Sequence, residues 1–263
     1  MINTNIENNI TLLPGTTFTP DNGYQFKEWK VTLLGSTKVK WASDLTFNSS
    51  NLHIGTGYYS ENVTLTAQWE LRTFTITYDA NGGSVNSDTQ EYTINSTDPL
   101  LIPTRNGYTF TGWEVVNYDP DDSNWEEGIA ESPLDNKYGD VGLQAKWALN
   151  DYTITYAAGD HSTGGSTTAT QYDVELGFAL ASNGFTPEAG WTFDKWKVTT
   201  AGSGPDGNWA LNSTYDEGQS IAAGKYGNVT MTALWKEAPY ADIIISVSGL
   251  ENGESAIFNV FKG

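Results

Sequence analysis

One seven-residue pattern is written three times in this chain, as Gly23-Tyr-Gln-Phe-Lys-Glu-Trp29, Gly107-Tyr-Thr-Phe-Thr-Gly-Trp113 and Gly190-Trp-Thr-Phe-Asp-Lys-Trp196. In each, a Gly precedes three aromatics at alternate or near-alternate positions, which is the spacing of a strand and not of a helix. The final Trp residues lie 84 and 83 positions apart (29 to 113 and 113 to 196). A period that constant marks tandem copies of one folding unit.

The copies can be followed along the chain. Residues 1–70 hold a first copy with the signature, then Trp41, a Gly/Tyr-rich bend at Gly55–Tyr59, and Asn62-Val-Thr-Leu-Thr-Ala-Gln-Trp69. That last run places Val63, Leu65, Ala67 and Trp69 on one face, as a half-buried strand requires. Residues 71–149 hold the fullest copy. It opens with Arg72-Thr-Phe-Thr-Ile-Thr-Tyr78, turns at Asp79-Ala-Asn-Gly-Gly83, and predicts a second strand near Gln90–Ile94. Asn-Gly is the strongest short hairpin signal, because both turn residues tolerate positive φ. The signature, Trp125 and Asp140-Val-Gly-Leu-Gln-Ala-Lys-Trp147 follow. Residues 150–236 repeat the order with Tyr152, Ile154 and Tyr156, the signature, Trp209, and a closing run to Trp235. The first copy lacks the opening hairpin; either the chain was cut there, or Met1–Ile10 or another segment fills that edge. Residues 237–263 break the pattern and predict one more β-hairpin, docked on a neighbour, covering the open edge of the first copy, or beginning a truncated domain. No stretch carries convincing helical periodicity.

Copies this small must draw their cores from aromatic residues, since there is no Cys and so no disulfide. All ten Trp fall inside the copies. The net charge of -19, from 13 basic and 32 acidic residues, argues against nucleic acid and anionic membrane surfaces as partners. No run is long enough to insert in a membrane, and the polar start Met1-Ile-Asn-Thr-Asn does not read as a signal peptide. On this reading any signal and anchor lie outside the chain.

The opening strand, Asp-Ala-Asn-Gly-Gly turn, Gly-Tyr-Thr-Phe-Thr-Gly-Trp signature and closing Val-Thr-Leu-Thr-Ala-Gln-Trp together resemble the Listeria–Bacteroides repeat. This is the B-repeat type of internalin-like bacterial surface proteins. The resemblance covers about residues 15–236. The third copy departs from it by replacing the Asn-Gly-Gly turn with Ala158–Gly165. The resemblance implies small β-grasp-like units strung in arrays between the anchor and tip of exported proteins, with an extracellular, cell-surface location. It implies no shared enzymatic residues.

Chemistry has few candidates. His53 and His161 occupy non-equivalent polar stretches and read as solvated loop residues. With no Cys and two isolated His, thiolate–imidazole pairs and zinc sites are not expected. Gly202-Ser-Gly204-Pro-Asp-Gly207 matches the dinucleotide pattern in letters only, because no helix follows it to receive a phosphate. The loop Asp119-Pro-Asp-Asp-Ser-Asn-Trp125 is the most acidic; a solvated hairpin loop is its simpler reading, with a weak cation site as the alternative. No cofactor or metal is assigned.

Trp41, Trp125 and Trp209 each follow a polar loop of variable sequence. Core or inter-repeat packing accounts for them, but exposed aromatics beside carboxylates are also how sugar sites are built. Trp41, Trp125, Trp209, Asp121 and Asp122 are therefore the candidate ligand contacts, for a host or neighbouring-cell protein or glycan. The expectation is a mainly β chain of three tandem β-grasp-like repeats and a C-terminal β-hairpin. Its expected role is a non-catalytic spacer and adhesion region, with a dedicated glycan- or protein-binding module as the alternative.

Overall fold

Each signature forms one long strand: Tyr24–Leu33, Tyr108–Tyr118 and Trp191–Ala201. Each pairs antiparallel with the run that closes its copy, Thr64–Leu71, Val141–Leu149 or Val229–Glu237. The register breaks between Phe26 and Glu28, Phe110 and Gly112, and Phe193 and Lys195. A bulge there inserts one residue, so aromatics three apart in sequence can share a face. That explains the near-alternate spacing. In all three signatures the Phe ring sits between the signature Trp and the closing Trp. Its centroid is 5.5 and 5.8 Å from Trp29 and Trp69, 5.3 and 5.6 Å from Trp113 and Trp147, and 4.9 and 6.0 Å from Trp196 and Trp235.

The computed structural model describes residues 3–6, 10–11, 20–33, 46–47, 53–54, 57–60, 64–130 and 132–239. The fold is mainly β, and its one helical element among the described residues is a single 3-10 turn at Gly204–Asp206. The chain divides into two compact units, Met1–Asn150 and Asp151–Gly263.

Within the first unit, one sheet holds three strands in the order Thr46–Phe47, Tyr24–Leu33, Thr64–Leu71. The N-terminal segments Asn3–Ile6 and Ile10–Thr11 pair with Gly57–Ser60 and His53–Ile54, not with the edge of Thr64–Leu71. A second sheet holds five strands: Gly128–Ile129, Tyr108–Tyr118, Val141–Leu149, Phe74–Asp79, Thr89–Tyr92. The second unit contains a five-stranded sheet of the same order: Thr214–Tyr215, Trp191–Ala201, Val229–Glu237, Tyr152–Ala157, Thr170–Tyr172. In both, opening and closing strands are central neighbours and run parallel, with Ile76 opposite Val141 and Ile154 opposite Val229.

The signature glycines have a conformational reason. Gly23, Gly107 and Gly190 have φ of 79°, 83° and 83°, where a Cβ is strained. Their carbonyls accept the N–H of Arg72, Asn150 and Ala238, each three residues past a closing Trp. The turn therefore fixes where the chain leaves each sheet.

One face of each five-stranded sheet is buried. Ile76, Tyr78, Trp113, Val115, Leu143 and Ala145 pack with Leu100 and Leu134 in the first unit. Ile154, Tyr156, Trp196, Val198, Met231 and Ala233 pack with Leu180 and Ile221 in the second. Trp113 and Trp196 each lie against a Tyr ring, at 4.7 Å from Tyr78 and 4.6 Å from Tyr156. Their indole N–H groups donate to the carbonyls of Leu101 and Ala181. Trp147 and Trp235 are half-buried and donate to Ala80 and Ala158, tying down the turn after each opening strand.

The Asn-Gly turn forms, with φ of 47° at Asn81 and 83° at Gly82. It does not close a tight hairpin, however. Ser84 bridges to Thr104, and the second strand, Thr89–Tyr92, comes back to Phe74–Thr77 only after an intervening loop. Trp147 explains this: its ring packs where a Cβ on Gly83 would stand, so the outgoing chain is turned away from the sheet. The hairpin expected over 237–263 lies outside the described residues beyond Ala238 and Pro239.

Trp196 is fully buried, so Trp196→Ala is expected to cost about 3–5 kcal/mol in the second unit. Urea unfolding followed by near-UV circular dichroism checks this; a loss below about 1 kcal/mol would mean the ring is not in a packed core.

Candidate functional site

The five residues singled out from the sequence go to different places. Trp41 lies outside the described residues. Trp125 and Trp209 are only 3% and 4% exposed, in keeping with the packing reading and not with the alternative of an outward aromatic contact. A buried ring offers no face on which a sugar can stack.

What holds them is the same arrangement twice. Trp125 Nε1–H donates to the Tyr92 hydroxyl at 2.8 Å, and that hydroxyl donates to the Gly139 carbonyl. Trp209 Nε1–H donates to the Tyr172 hydroxyl at 2.7 Å, which donates to the Gly227 carbonyl. Each Trp meets its Tyr edge-on, at interplanar angles of 81° and 90°. Two groups that would be costly to bury alone satisfy each other. Lys137 and Lys225 lie over the rings of Trp125 and Trp209, at 5.1 and 4.8 Å from the centroids. Each also donates to the carbonyl of the residue before the Trp, Asn124 or Asn208. Sequence reading missed Tyr92 and Tyr172, because nothing marks a Tyr 33 or 37 residues upstream as the partner of a particular Trp.

The three carboxylates of the acidic loop are solvent-exposed, and one of them is committed to an ion pair. Asp119 accepts the N–H of Asp121 through its side chain and that of Asp122 through its carbonyl. Asp121 itself is exposed. Asp122 takes the Arg72 guanidinium in a two-pronged ion pair, at 2.7 and 2.6 Å. The hydrogen bond to Arg72 holds the Asp122 carboxyl below the usual carboxylate range. Arg72 also lies over the Phe74 ring and donates its backbone N–H to Gly23, so it braces the junction between the two sheets of the first unit. No group of three or more His, Asp or Glu among the described residues is arranged to hold a metal ion.

His161 is not the free loop residue expected. Its ring stacks on Trp191, 3.5 Å between centroids and 9° from parallel, and its Nδ1 is 2.9 Å from Glu188. Gly202–Gly207 holds only the short 3-10 turn, so nothing there resembles a dinucleotide-binding helix start. His53 lies in the strand His53–Ile54.

Two family models match parts of the chain. Residues 74–126 match the Listeria-Bacteroides repeat domain, and residues 9–73 match the divergent InlB B-repeat domain. These two stretches carry repeats of the Listeria–Bacteroides and InlB B-repeat types. Internalin H of Listeria monocytogenes serovar 1/2a is 30% identical over 132 residues, 49% of this chain and 20% of that protein. Two proteins of Evansella cellulosilytica named as membrane proteins are also similar. One is 26% identical over 196 residues, 73% of this chain and 27% of its own. The other, named as Gly-rich, is 31% identical over 147 residues, 54% of this chain and 15% of its own. The chain thus spans between about a seventh and about a quarter of the length of these relatives. No solved structure matches it. No helix among the described residues is long and apolar enough to cross a membrane.

Trp125 and Trp209 serve the fold, and their phenol partners record it. Burial pushes the Tyr92 and Tyr172 hydroxyls up to about 12, against the opposing pull of the Trp hydrogen bonds. A phenol whose value is raised on folding contributes stability that is complete below its ordinary value, about 10, and is lost as pH rises through 12. From neutral pH upward, stability is therefore expected to hold to about pH 10 and to fall between about 10 and 12. Tyr92→Phe should flatten part of that fall while lowering stability at neutral pH. Urea unfolding across this range, with phenolate absorbance, checks both expectations.

Proposed function

We propose that these repeats form a non-catalytic spacer and interaction region of a bacterial cell-surface protein, built as three tandem β-grasp-like units. The observation that carries the reading is the direction of the two central strands. Opening and closing strands are adjacent and parallel in both five-stranded sheets, so the chain enters at one end of a sheet and leaves at the other. From the level of Phe74 to that of Leu149 the chain advances roughly 30 Å along the strand direction. Each unit thus adds length.

The connections between copies are short. Only Arg72 and Thr73 separate Leu71 from Phe74, and only Asn150 and Asp151 separate Leu149 from Tyr152. Tension applied through the ends of a unit would load the parallel pair along the strands. The register pairs from Ile76–Val141 to Asp79–Gln144 would then have to give together and not one after another. A net charge of -19 would keep such an array from collapsing on itself or on an anionic surface. The non-catalytic part of the reading is supported by the type of repeat matched and by the use of Trp125, Trp209, Tyr92 and Tyr172 as packing partners.

Single-molecule pulling through the two ends of the chain tests this. The five-stranded units are expected to unfold in discrete, high-force events, each releasing roughly 25 nm at about 3.5 Å per extended residue. Gradual extension at low force without discrete events would remove the spacer reading.

A further inference from the structure

We infer that the outer face of the sheet spanning residues 74–149 binds a basic, extended segment of a partner protein, in a hollow centred on Gly142. The inference deepens the interaction half of the proposed function and names the partner's chemistry. Opposite the buried face, Thr75 and Thr77 of the opening strand stand beside Gly142, and Asn117 of the long strand lies directly across from it. Together with Asp119 and Asp140 they line an open hollow of about 680 Å³. The matching place in the sheet spanning 152–237, lined by Thr153, Thr155, Thr200, Asn228 and Thr230, encloses only about 170 Å³.

The difference traces partly to one residue. Gly142 pairs with Thr77 as Thr230 pairs with Thr155, so Thr230 is its counterpart. A Cβ built on Gly142 would meet Asn117 Cβ at 3.2 Å and Val116 Cγ2 at 3.7 Å. The floor of the hollow is space that a side chain would otherwise fill. A second hollow of about 530 Å³ adjoins it across Asn117, with Glu114 and Glu127 in its wall. The two form a trough with acidic rims.

Glu114 on that rim is paired with Lys146, whereas the hydrogen bond that Asp140 makes does not require its charge. Asp140 Oδ1 accepts the Thr75 N–H at 2.7 Å, and neutral Asn228 does the same for Thr153 at 2.9 Å. Residues 71–149 carry 13 Asp and Glu against four Lys and Arg. All four bases are already engaged: Arg72 with Asp122, Arg105 with Asn81 and the Tyr108 ring, Lys137 with Asn124 and the Trp125 ring, and Lys146 with Glu114. Asp140 is near enough to Arg72 to help hold it charged, but no ion pair reaches Asp119 or Asp140 among the described residues, which leaves both carboxylates open to a partner's cation.

The test is fluorescence anisotropy with labelled octalysine and the full chain in low salt, using substitutions borrowed from the other sheet. Asp140→Asn keeps the hydrogen bond and removes the charge. Gly142→Thr fills the floor. Asp160→Asn removes one exposed charge elsewhere and serves as the charge-matched control. Binding that weakens about fivefold in each of the first two variants, each still folded by far-UV circular dichroism at the temperature of the assay, with an unaffected control, is the expected result. Equal weakening in all three, or in none, would show that octalysine reads only the overall negative charge and would overturn the site. So would failure of octalysine to bind, or its displacement by cellohexaose, which would make the hollow a sugar site. None of these outcomes bears on the pulling experiment, which tests the spacer reading alone.

Discussion

A buried Trp–Tyr–backbone relay fixes the far end of each five-stranded sheet. The indole of Trp125 or Trp209 brings a polar N–H into the interior, where leaving it without a partner would cost on the order of 1–3 kcal/mol. Tyr92 or Tyr172 meets that need and passes its own hydroxyl hydrogen to Gly139 or Gly227. Three separate parts of the chain are thereby joined: the second strand, the loop after the signature, and the turn before the closing strand. The second strand cannot shift register without breaking the relay. Because that strand sits beside the opening strand, the relay also holds the parallel central pair in place.

This constraint separates what was legible in the sequence from what was not. Strand positions were legible, since alternation of Phe74, Ile76 and Tyr78 or of Val229, Met231 and Ala233 is a local property. The signature was legible as a strand. Its bulge, which brings Phe110 and Trp113 onto one face, was not, because a bulge is defined only against a paired strand. Asn81-Gly82 announced a turn correctly. Where the chain goes afterwards depends on Trp147, more than sixty residues away, which no local reading reaches.

The partners of the candidate residues were illegible for the same reason. Trp125 and Trp209 follow polar loops, and a polar approach usually marks a surface residue. Their burial is decided by a Tyr on a distant strand and by a Lys lying over the ring. Asp122, read as a possible contact, serves Arg72, fifty residues before it. His161, read as solvated, stacks on Trp191. In each case the residue type was noticed and the partner was not. The outer sheet face escaped notice altogether, because a Gly at 142 in place of a Thr reads as nothing until the neighbouring strands give it walls.

The account stands or falls on the burial of the two loop tryptophans, and amide-type hydrogen exchange at their indole N–H groups measures it directly. Resonances assigned by Trp125→Phe and Trp209→Phe can be followed by two-dimensional NMR after transfer to D2O. Both indole protons are expected to exchange only through unfolding of their unit, slowing in step with its stability. Exchange at the rate of free indole for either one would place that ring in solvent and contradict the relay on which the fold and its reading rest.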